Sequence, residues 1–506
     1  MSINSIFKGC GGRVHPRENV RYNLPVSEKN LKEVFADCGD FETRQVWPGE
    51  RRIDGVHVCW LDGVVDGTGV SEDVIRPLGE SAALAQARGA AECMELIARG
   101  AVWSCSFKRR ETMDDVAGDI VQGFCAIVFD NAGAALTFEA RTSNTRSISE
   151  PTVEKTVKGA KDAFVETLRT NTSLVRRKLH DPELKVLQTT VGRKSATQVA
   201  VMYVNGVANE EIIQELQKRL DGIDIDALTC SGDLEQYVTD APRSPFPQLL
   251  HTERPDKFAA ELAAGRVGFI ADGLPIGFLT PATMAHFLRV NEDRSQHFLA
   301  ACMPTLLRWL SLVITILLPA SLVAVSMYHQ EMIPFRLMVS MIDAKQKVPF
   351  TSSIEMLSML VAFELIQEAG VRLPNPVGDT LSIIGALIVG QAAVEARVVS
   401  PVAVIVVATA GICGFTQPSQ DMLSVLRIIR VVMVLMAIAL GMFGIMLTLV
   451  LMVWHLCTLE SFGVSYTEPM SERGLWGSLG VFLQFPLWRE KYRSPALRTY
   501  DRRRQK

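Results

Sequence analysis

An amide, an acid and a base lie within one of the most apolar stretches of this 506-residue sequence. The stretch, LSIIGALIVGQAAVEARVVSP at residues 381–401, contains Gln391, Glu395 and Arg397. Gln391 and Glu395 are four residues apart, so on a helix they share one face. An ionised carboxylate in hydrocarbon costs several kcal/mol, so this face must contact protein, water or an opposite charge.

Two interpretations of this polar face are open from the residues. In the first, several copies gather Gln391 and Glu395 around an aqueous axis, where these side chains attract cations and rings of Ile or Val form a gate that excludes water. In the second, Glu395 lies near the membrane boundary and pairs with Arg397 or a neighbouring subunit, which only stabilises the structure. The residues alone favour the second interpretation.

A second candidate for lining an ion path is SSIEMLSMLVAFELIQEAG at residues 352–370. On a helix Glu364 and Glu368 share a face, and Glu355 lies near the opposite end. Such a helix either lines an aqueous vestibule or packs as an amphipathic helix at the membrane surface. We predict lining, because three acids without a base suit a cation path.

Enzymatic and metal chemistry have no support in the sequence. It contains no phosphate-binding loop, no Gly-x-Ser-x-Gly, no HExxH and no paired acids with a supporting histidine. The ten cysteines and eight histidines are scattered without metal-ligand spacing. We therefore expect no catalytic residues, no metal and no cofactor. The net charge of −3 gives no general attraction to nucleic acid.

Three windows contain no charged residue and exceed the ~20 residues that cross a hydrocarbon core as a helix. They lie at residues 309–330, 398–420 and 431–459. We predict an all-α polytopic membrane domain over residues 299–469, with about five helices, followed by a basic tail over residues 470–506. An N-terminus without a long apolar run is not a secretory signal, so we expect the N-terminal half in the cytosol.

The positions of basic residues leave four to six crossings open. Arg427 and Arg430 precede the last window, and residues 489–506 contain eight basic residues against two acidic ones. The positive-inside rule places both groups on the cytosolic side, which a single crossing does not allow. Either a loop at residues 427–430 lies outside, or LWGSLGVFLQFPLW at residues 475–488 returns through or along the membrane.

The N-terminal half contains one pattern twice. VHVCWLDGVVD at residues 56–66 and VAVMYVNGVAN at residues 199–209 are 143 residues apart, and each precedes a helical pattern. GFCAIVFDNAG at residues 123–133 and GRVGFIADGLP at residues 265–275 are 142 residues apart, and each predicts a strand, a turn and a second strand. After a flexible N-terminus at residues 1–29, we therefore predict two related α/β subdomains, at residues 30–148 and 186–298. Asp130 and Asp272 are interpreted as turn formers.

A helical connector is predicted between the subdomains, at residues 149–185, with its helix over residues 152–179. The helix ends in the basic cluster at residues 176–178. It is either a solvated connector or an element that docks subdomains or subunits together. The candidate docking residues are Arg146, Glu150, Arg176 and Arg177.

Several blocks of this sequence resemble the A-subunit family of spore germinant receptors, the GerA type, which includes SpoVAF-like proteins. They include TRSISEP, NTSLVRRKL, FPQLLHTERPD, EAGVRLPNPVGDTLSIIGALIVGQAAVEARVVSP and SFGVSYTEP. The resemblance runs in order from about residue 30 to Pro469, whereas the basic tail departs from it. It implies an α/β soluble N-terminal half followed by an integral membrane domain in the spore inner membrane.

The resemblance also implies function and partners. A subunits would form homo-oligomers, with pentamers expected, around a channel that releases monovalent cations when nutrients are sensed. A transporter-like B subunit would bind the nutrient, and a lipoprotein C subunit would complete the complex; SpoVAF-like members would instead amplify the ion-release signal. A non-conducting membrane scaffold is the serious alternative. A transporter is disfavoured, because the repeat lies outside the membrane half.

Overall fold

The protein is described here from a computed structural model. The residues that the structure describes are 21–48, 56–102, 107–141, 158–346, 348–372, 390–470, 480, 482–486, 490–505, and Pro151, Glu154, Thr156 and Trp488.

The first subdomain contains a five-stranded antiparallel sheet in the order β1-β2-β4-β5-β3. Its strands are β1 Phe41–Val46, β2 Val56–Leu61, β3 Phe107–Arg110, β4 Phe124–Phe129 and β5 Ala134–Glu139. Its helices are α1 Glu28–Val34, α2 Gly67–Gly69, α3 Arg76–Glu80, α4 Ala82–Ala85, α5 Ala90–Leu96 and α6 Met113–Val121, with π-helical turns at Val70–Ile75 and Ile97–Ala101. The central strand β4 is buried along its whole length, as its continuous apolar run FCAIVF predicts.

The second subdomain repeats this arrangement, with the strand order β6-β7-β9-β10-β8. Its strands are β6 Leu184–Val191, β7 Thr197–Val204, β8 Leu250–Thr252, β9 Val267–Ala271 and β10 Gly277–Thr280. Its helices are α7 Leu168–Lys178, α8 Glu210–Asp221, α9 Ser231–Val238, α10 Pro255–Ala263 and α11 Met284–Phe287. The two strand orders are identical once each sheet is numbered from its first strand, so the prediction of two related α/β units is confirmed.

The aspartates that follow β4 and β9 do more than form turns. The carboxylate of Asp130 accepts a hydrogen bond from the backbone N–H of Glu28, at the start of α1 (2.8 Å). That of Asp272 accepts one from the backbone N–H of Leu168, at the start of α7 (2.9 Å). Each aspartate therefore closes its hairpin and also satisfies a free N–H group at a helix N-terminus.

The predicted helix of the connector is much shorter than expected. Residues 158–167 are not helical, and within the described part of the connector the helix is α7 at Leu168–Lys178. In the extended part Phe164 donates its N–H to the carbonyl of Glu253 (2.7 Å), and the side chain of Asn171 bonds both backbone groups of Val165 (2.8 and 2.6 Å). These contacts replace helical hydrogen bonds, so tertiary pairing overrides the local helical pattern.

The C-terminal half is helical. Its helices are α12 Phe298–Met327, α13 Phe335–Gln346, α14 Ser352–Arg372, α15 Pro401–Phe415 and α16 Gln420–Thr458, and residues 390–395 are also helical. Among the described residues, α12 and α16 are the two helices long and apolar enough to cross a membrane. The chain then forms the short hairpin β11 Glu460–Ser461 and β12 Val464–Ser465.

The helical half packs directly on the second subdomain. One continuous core joins Phe258 and Leu279 of that subdomain to Ile316 of α12 and Met433 of α16. Tyr466, after the β11–β12 hairpin, is fully buried at this junction. The first sheet, by contrast, has cores of its own on its two faces.

Both ends of α16 contact the same part of the second subdomain. Asp421 Oδ2 lies 3.0 Å from His251 Nδ1, and His455 Nε2 lies 2.9 Å from the hydroxyl of Ser244. The chain from Ser244 to His251, seven residue steps, spans at most about 25 Å. A straight helix would separate residues 421 and 455 by about 51 Å. The helix therefore cannot be straight.

The reversal lies at Gly441, whose φ of 61° and ψ of −139° are not helical. We call residues 420–440 and 442–458 the two limbs of α16. They pack closely, because a Cβ atom on Gly444 would overlap the carbonyl oxygen of Met436. Tyr328, just after α12, packs on Gly441 and donates its hydroxyl to the carbonyl of Ile438 (2.6 Å). Residues 420–440 thus lead away from the second subdomain, and residues 442–458 return to it.

This reversal corrects the topology expected from the sequence. Arg427 and Arg430 do not lie in a loop but inside α16, which begins at Gln420 with Ser419 as its N-cap. The last window is not a single straight span, because it reverses at Gly441. Both ends of α16 therefore contact the same subdomain. Half of residues 475–488 lie outside the described residues.

Candidate functional site: polar residues of the helical half

Glu364 of α14 forms an ion pair with Arg430 of α16, and Arg427 lies 3.6 Å from its second oxygen. The Arg430 side chain is only 2% exposed and its guanidinium lies 5.9 Å from the centre of the Phe363 ring. A buried guanidinium without a counter-charge would be strongly destabilising. Glu364 therefore stabilises the contact between α14 and α16.

The surface on which α14 and α16 meet also contains polar atoms without a hydrogen-bond partner in the part of the chain that the structure describes. The Nε atoms of Arg427 and Arg430 and the Oε1 atom of Gln367 are buried without a hydrogen-bond partner among the described residues. Unsatisfied buried polar atoms are usually bonded to water or to a group outside the chain. We call Glu364, Gln367, Arg427 and Arg430 the α14–α16 polar face.

Glu355, at the start of α14, is 3% exposed and accepts a hydrogen bond from the backbone N–H of Ser400. The hydroxyl of Ser400 in turn caps α15 by accepting from the N–H of Ala403 (3.3 Å). Glu355 therefore joins the first turns of α14 and α15, and its charge faces the N-terminal end of a helix, where an anion is favoured.

The other predicted pore residues lie on the surface of the single chain. Gln391 and Glu395 are exposed, and the amide of Gln391 donates to the carboxylate of Glu395 (3.1 Å). Arg397 follows in a turn with a positive φ of 57°. Glu368 is exposed near the end of α14. The structure thus joins Gln391 with Glu395, and separately joins Glu364 with two arginines.

Among the candidate docking residues, Arg176 makes the closest contact between the subdomains. Its side chain is completely buried, and its guanidinium forms a two-point ion pair with Asp40, which precedes β1 (Nη2 to Oδ1 2.7 Å). Nη1 also donates to the carbonyl of Leu184 (3.3 Å). Although burial opposes it, the charge of Asp40 raises the pKa of the Arg176 guanidinium.

The remaining docking candidates make fewer described contacts. Arg177 is half-buried and lines a cleft between α7 and residues 63–68. In that cleft the exposed Arg169 pairs with Asp62 of the first subdomain. Arg146 and Glu150 lie outside the described residues.

Sequence reasoning missed the partners of the predicted acids. Arg427 and Arg430 were considered only for topology, although their three-residue spacing places both on one face of a helix that faces α14. Residues 352–370 contain three acids and no base, but the bases that pair with Glu364 come from a helix more than fifty residues later. A serine before a proline at residues 400–401 was a usable signal for a helix cap.

These features define a class of protein with two like α/β sheets followed by apolar helices of membrane-spanning length. The chain matches the family described as Bacillus/Clostridium GerA spore germination protein over residues 29–496. It is 35% identical to spore germination protein KA of Bacillus subtilis (strain 168), over 95% of this chain and 88% of that protein. The chain belongs to the GerA family of spore germinant receptor A subunits, which are not enzymes.

Other relatives agree with this assignment. The chain is 36% identical to spore germination protein B1 of Bacillus subtilis (strain 168), over 82% of this chain and 84% of that protein. It is 34% identical to a Bacillus subtilis protein named membrane protein YfkQ, over 92% and 90%. That similarity and the two long apolar helices indicate membrane association.

One solved structure is also similar. The N-terminal domain of the A subunit of the Bacillus megaterium spore germinant receptor GerK3 aligns with 52% of this chain and 99% of its own length, with 26% identity and a TM-score of 0.42. The family match confirms the predicted family, and the sheets and helices described above confirm the α/β N-terminal half and the helical C-terminal half.

Proposed function

We propose that this chain forms homo-oligomers, with pentamers expected, in the spore inner membrane, and that these conduct monovalent cations when a nutrient is sensed. The N-terminal half lies in the cytosol in this proposal. A transporter-like B subunit supplies the nutrient site, and a lipoprotein C subunit completes the receptor. The family membership and the helices of membrane-spanning length support this proposal.

The observation that carries the proposal is the exposed face of α14. Val361 and Leu365 are 58% and 65% exposed, and the exposed Glu368 follows at helical spacing on the same face. Glu364, at the edge of this same face, is held by its contact with α16. In an oligomer, rings of Val and Leu act as a gate that excludes water, and a ring of Glu368 concentrates cations beside it.

Gln391 and Glu395 are the second candidate lining pair in this proposal. Both are exposed, and their hydrogen bond holds a compact polar patch at the edge of apolar helices. Glu364 and Glu355 act instead as internal supports, because each already binds a group of a neighbouring helix. Arg176 acts in docking the two subdomains through Asp40.

Potassium and chloride flux from liposomes that contain the reconstituted receptor tests the proposal. We expect Glu368→Gln to lower the preference for potassium over chloride, and Val361→Ala to raise the resting flux, since each acts on the lining face. Glu331→Gln, on an exposed acid outside α14, is the matched control. If all variants conduct like the wild type, the exposed face of α14 does not line the path. If no flux occurs with all subunits present, the scaffold function is correct.

Membership of the SpoVAF-like branch would leave conduction in place but change what opens the channel. An oligomer that conducts without a transporter-like subunit, and that responds to ion release by other receptors, would indicate the amplifier. Flux that requires the B and C subunits would indicate the receptor.

A further inference from the structure

A cavity of ≈ 250 Å³ lies among the helices at the end of α12 that is far from the second subdomain. Its walls come from the last turns of α12, from α13 and from the first turns of α14 and α15. The volume is far above the ~10–15 Å³ that one water molecule needs and below the ~300–1,000 Å³ that is typical of drug-sized ligands. It suits a small organic molecule.

The cavity contains two opposite charges in apolar surroundings. Glu355 is 3% exposed and Lys345 is half-buried, and both line the cavity and interact electrostatically. Ser400 donates only one hydrogen bond to the Glu355 carboxylate, which has about four acceptor positions. Glu355 therefore retains the capacity to bind a cationic group that enters the cavity.

Much of the remaining wall is apolar, and Ser326, Gln330 and Ser352 add neutral polar groups to it. Met338 and Met341 of α13 and Met356 of α14 lie beside Leu322 and Val323 of α12. Methionine side chains adapt to irregular apolar groups, since they are unbranched and polarisable. An apolar group of a ligand is removed from water when it enters this part of the cavity, which favours binding. A charged group placed here without a counter-charge would weaken binding.

We propose that this cavity binds a small zwitterion with an apolar side chain, in the simplest case an α-amino acid. The ammonium group binds Glu355, the carboxylate group binds Lys345, and the side chain contacts the three methionines. A simple cation would leave Lys345 without a counter-charge in the site, and a simple anion would do the same to Glu355. Charge-assisted hydrogen bonds at both ends make the zwitterion the better fit. The site lies within one chain and does not depend on ion conduction.

Binding is tested on the full-length chain in detergent, by calorimetry and by the shift of its unfolding temperature. The probes are the apolar L-amino acids from alanine to phenylalanine. We expect at least one of them to bind and to raise the unfolding temperature. The amino alcohol and the carboxylic acid with the same side chain each lack one charge, and we expect them to bind at least about tenfold more weakly.

Two variants remove one charge each from the cavity. Lys345→Met keeps the length of the side chain, and Glu355→Gln keeps an oxygen that can accept from Ser400. We expect each to weaken amino-acid binding at least about tenfold. The matched controls are Arg336→Met, on an exposed residue of α13, and Glu331→Gln, and we expect wild-type affinity from both.

Three results would overturn the inference. One is that none of the amino acids binds to the wild-type chain. Another is that the amino alcohol binds as tightly as the amino acid, which would indicate a site for organic cations. The third is that Lys345→Met, which removes only a half-buried charge, binds amino acids like the wild type. Since no flux is measured, a failure here is distinct from a failure of conduction.

Discussion

Single residues of the helical half are held by charge as much as by packing. Arg430 is buried, and Glu364 is its counter-charge. Glu364→Gln would leave the guanidinium without an anion, at a cost of about 3 kcal/mol. We expect a clear fall in unfolding temperature for the full chain in detergent.

Replacing both partners of this pair is the informative comparison. Glu364→Leu combined with Arg430→Met removes the buried charge as well as its partner, so we expect most of the lost stability to return. Glu331→Gln, on an exposed acid, is the control and should leave the unfolding temperature unchanged. A double variant as unstable as Glu364→Gln would contradict the assignment of this pair as mutual charge compensation.

A second charged group makes the stability of the N-terminal half depend on pH. Glu261 is buried and binds Arg266 (2.9 Å), and the Nη2 atom of Arg266 also lies 2.9 Å from the Nε2 atom of His286. Although burial opposes it, Arg266 lowers the pKa of Glu261 from 4.5 to about 2. Burial, followed by the charge of Arg266, lowers the pKa of His286 well below 6.5.

Both shifts predict a loss of stability in acid. As the pH falls below 6.5, this histidine takes up a proton in the unfolded chain, while His286 in the folded chain stays neutral. Proton binding therefore stabilises the unfolded state relative to the folded state. The contribution of Glu261, up to about 3 kcal/mol, is complete above pH 4.5 and is lost as the pH falls toward 2. We expect the unfolding temperature to fall progressively below pH 6.5.

His286→Gln separates the two effects. Glutamine can still bond Arg266 but does not take a proton, so we expect a flatter profile between pH 6.5 and 4.5. His297→Gln, at an exposed histidine, should keep the slope of the wild type. If His286→Gln also keeps that slope, another group causes the acid destabilisation.

At the scale of elements, the reversal of α16 rests on one residue without a side chain. The φ and ψ of Gly441 lie in a region that other residues adopt at a cost of about 1–3 kcal/mol. A Cβ atom there would also lie 3.1 Å from the ring of Tyr328. Gly441→Ala should therefore lower the unfolding temperature and loosen the packing of the two limbs.

The control for this change is Gly89→Ala. Gly89 also precedes a helix, but it has an extended backbone and no atom near the position of an added Cβ. We expect it to be neutral by thermal unfolding. Equal unfolding temperatures for Gly441→Ala and the wild type would mean that the turn does not need glycine.

At the scale of the whole molecule, the buried pair of Arg176 with Asp40 is one of the contacts that attach the first subdomain to the second, beside backbone hydrogen bonds such as that from Gly39 to Val186 (2.8 Å). Asp40→Asn leaves Arg176 buried without a counter-charge, at about 3 kcal/mol. We expect the first subdomain to unfold at a lower temperature and to become more sensitive to limited proteolysis.

The chain offers a matched control at the same contact. Asp62 pairs with Arg169, and their side chains are 36% and 57% exposed, so Asp62→Asn should cost about 0–1 kcal/mol. Similar proteolysis of the two variants would show that the buried pair is not what attaches the first subdomain.

The sequence by itself determined the local and repeated features of this protein. The offset of about 143 residues between two strand patterns predicted two like sheets, because alternation of buried side chains is a local property of strands. The apolar windows that form parts of α12 and α16 were also predictable from local sequence. So was the family, because its characteristic blocks are continuous in the chain. The acids of the helical half were also identified from their apolar surroundings.

Only the tertiary structure decided which of these residues meet. The partners of Glu364, Glu355 and Arg176 lie 66, 45 and 136 residues away in the chain, and no local pattern encodes such pairs. The reversal at Gly441 follows from the packing of Tyr328 and of both limbs on one subdomain, whereas the sequence shows only a continuous apolar run. Residues 158–167 of the connector are not helical for the same reason, because bonds to distant residues replaced those within a helix.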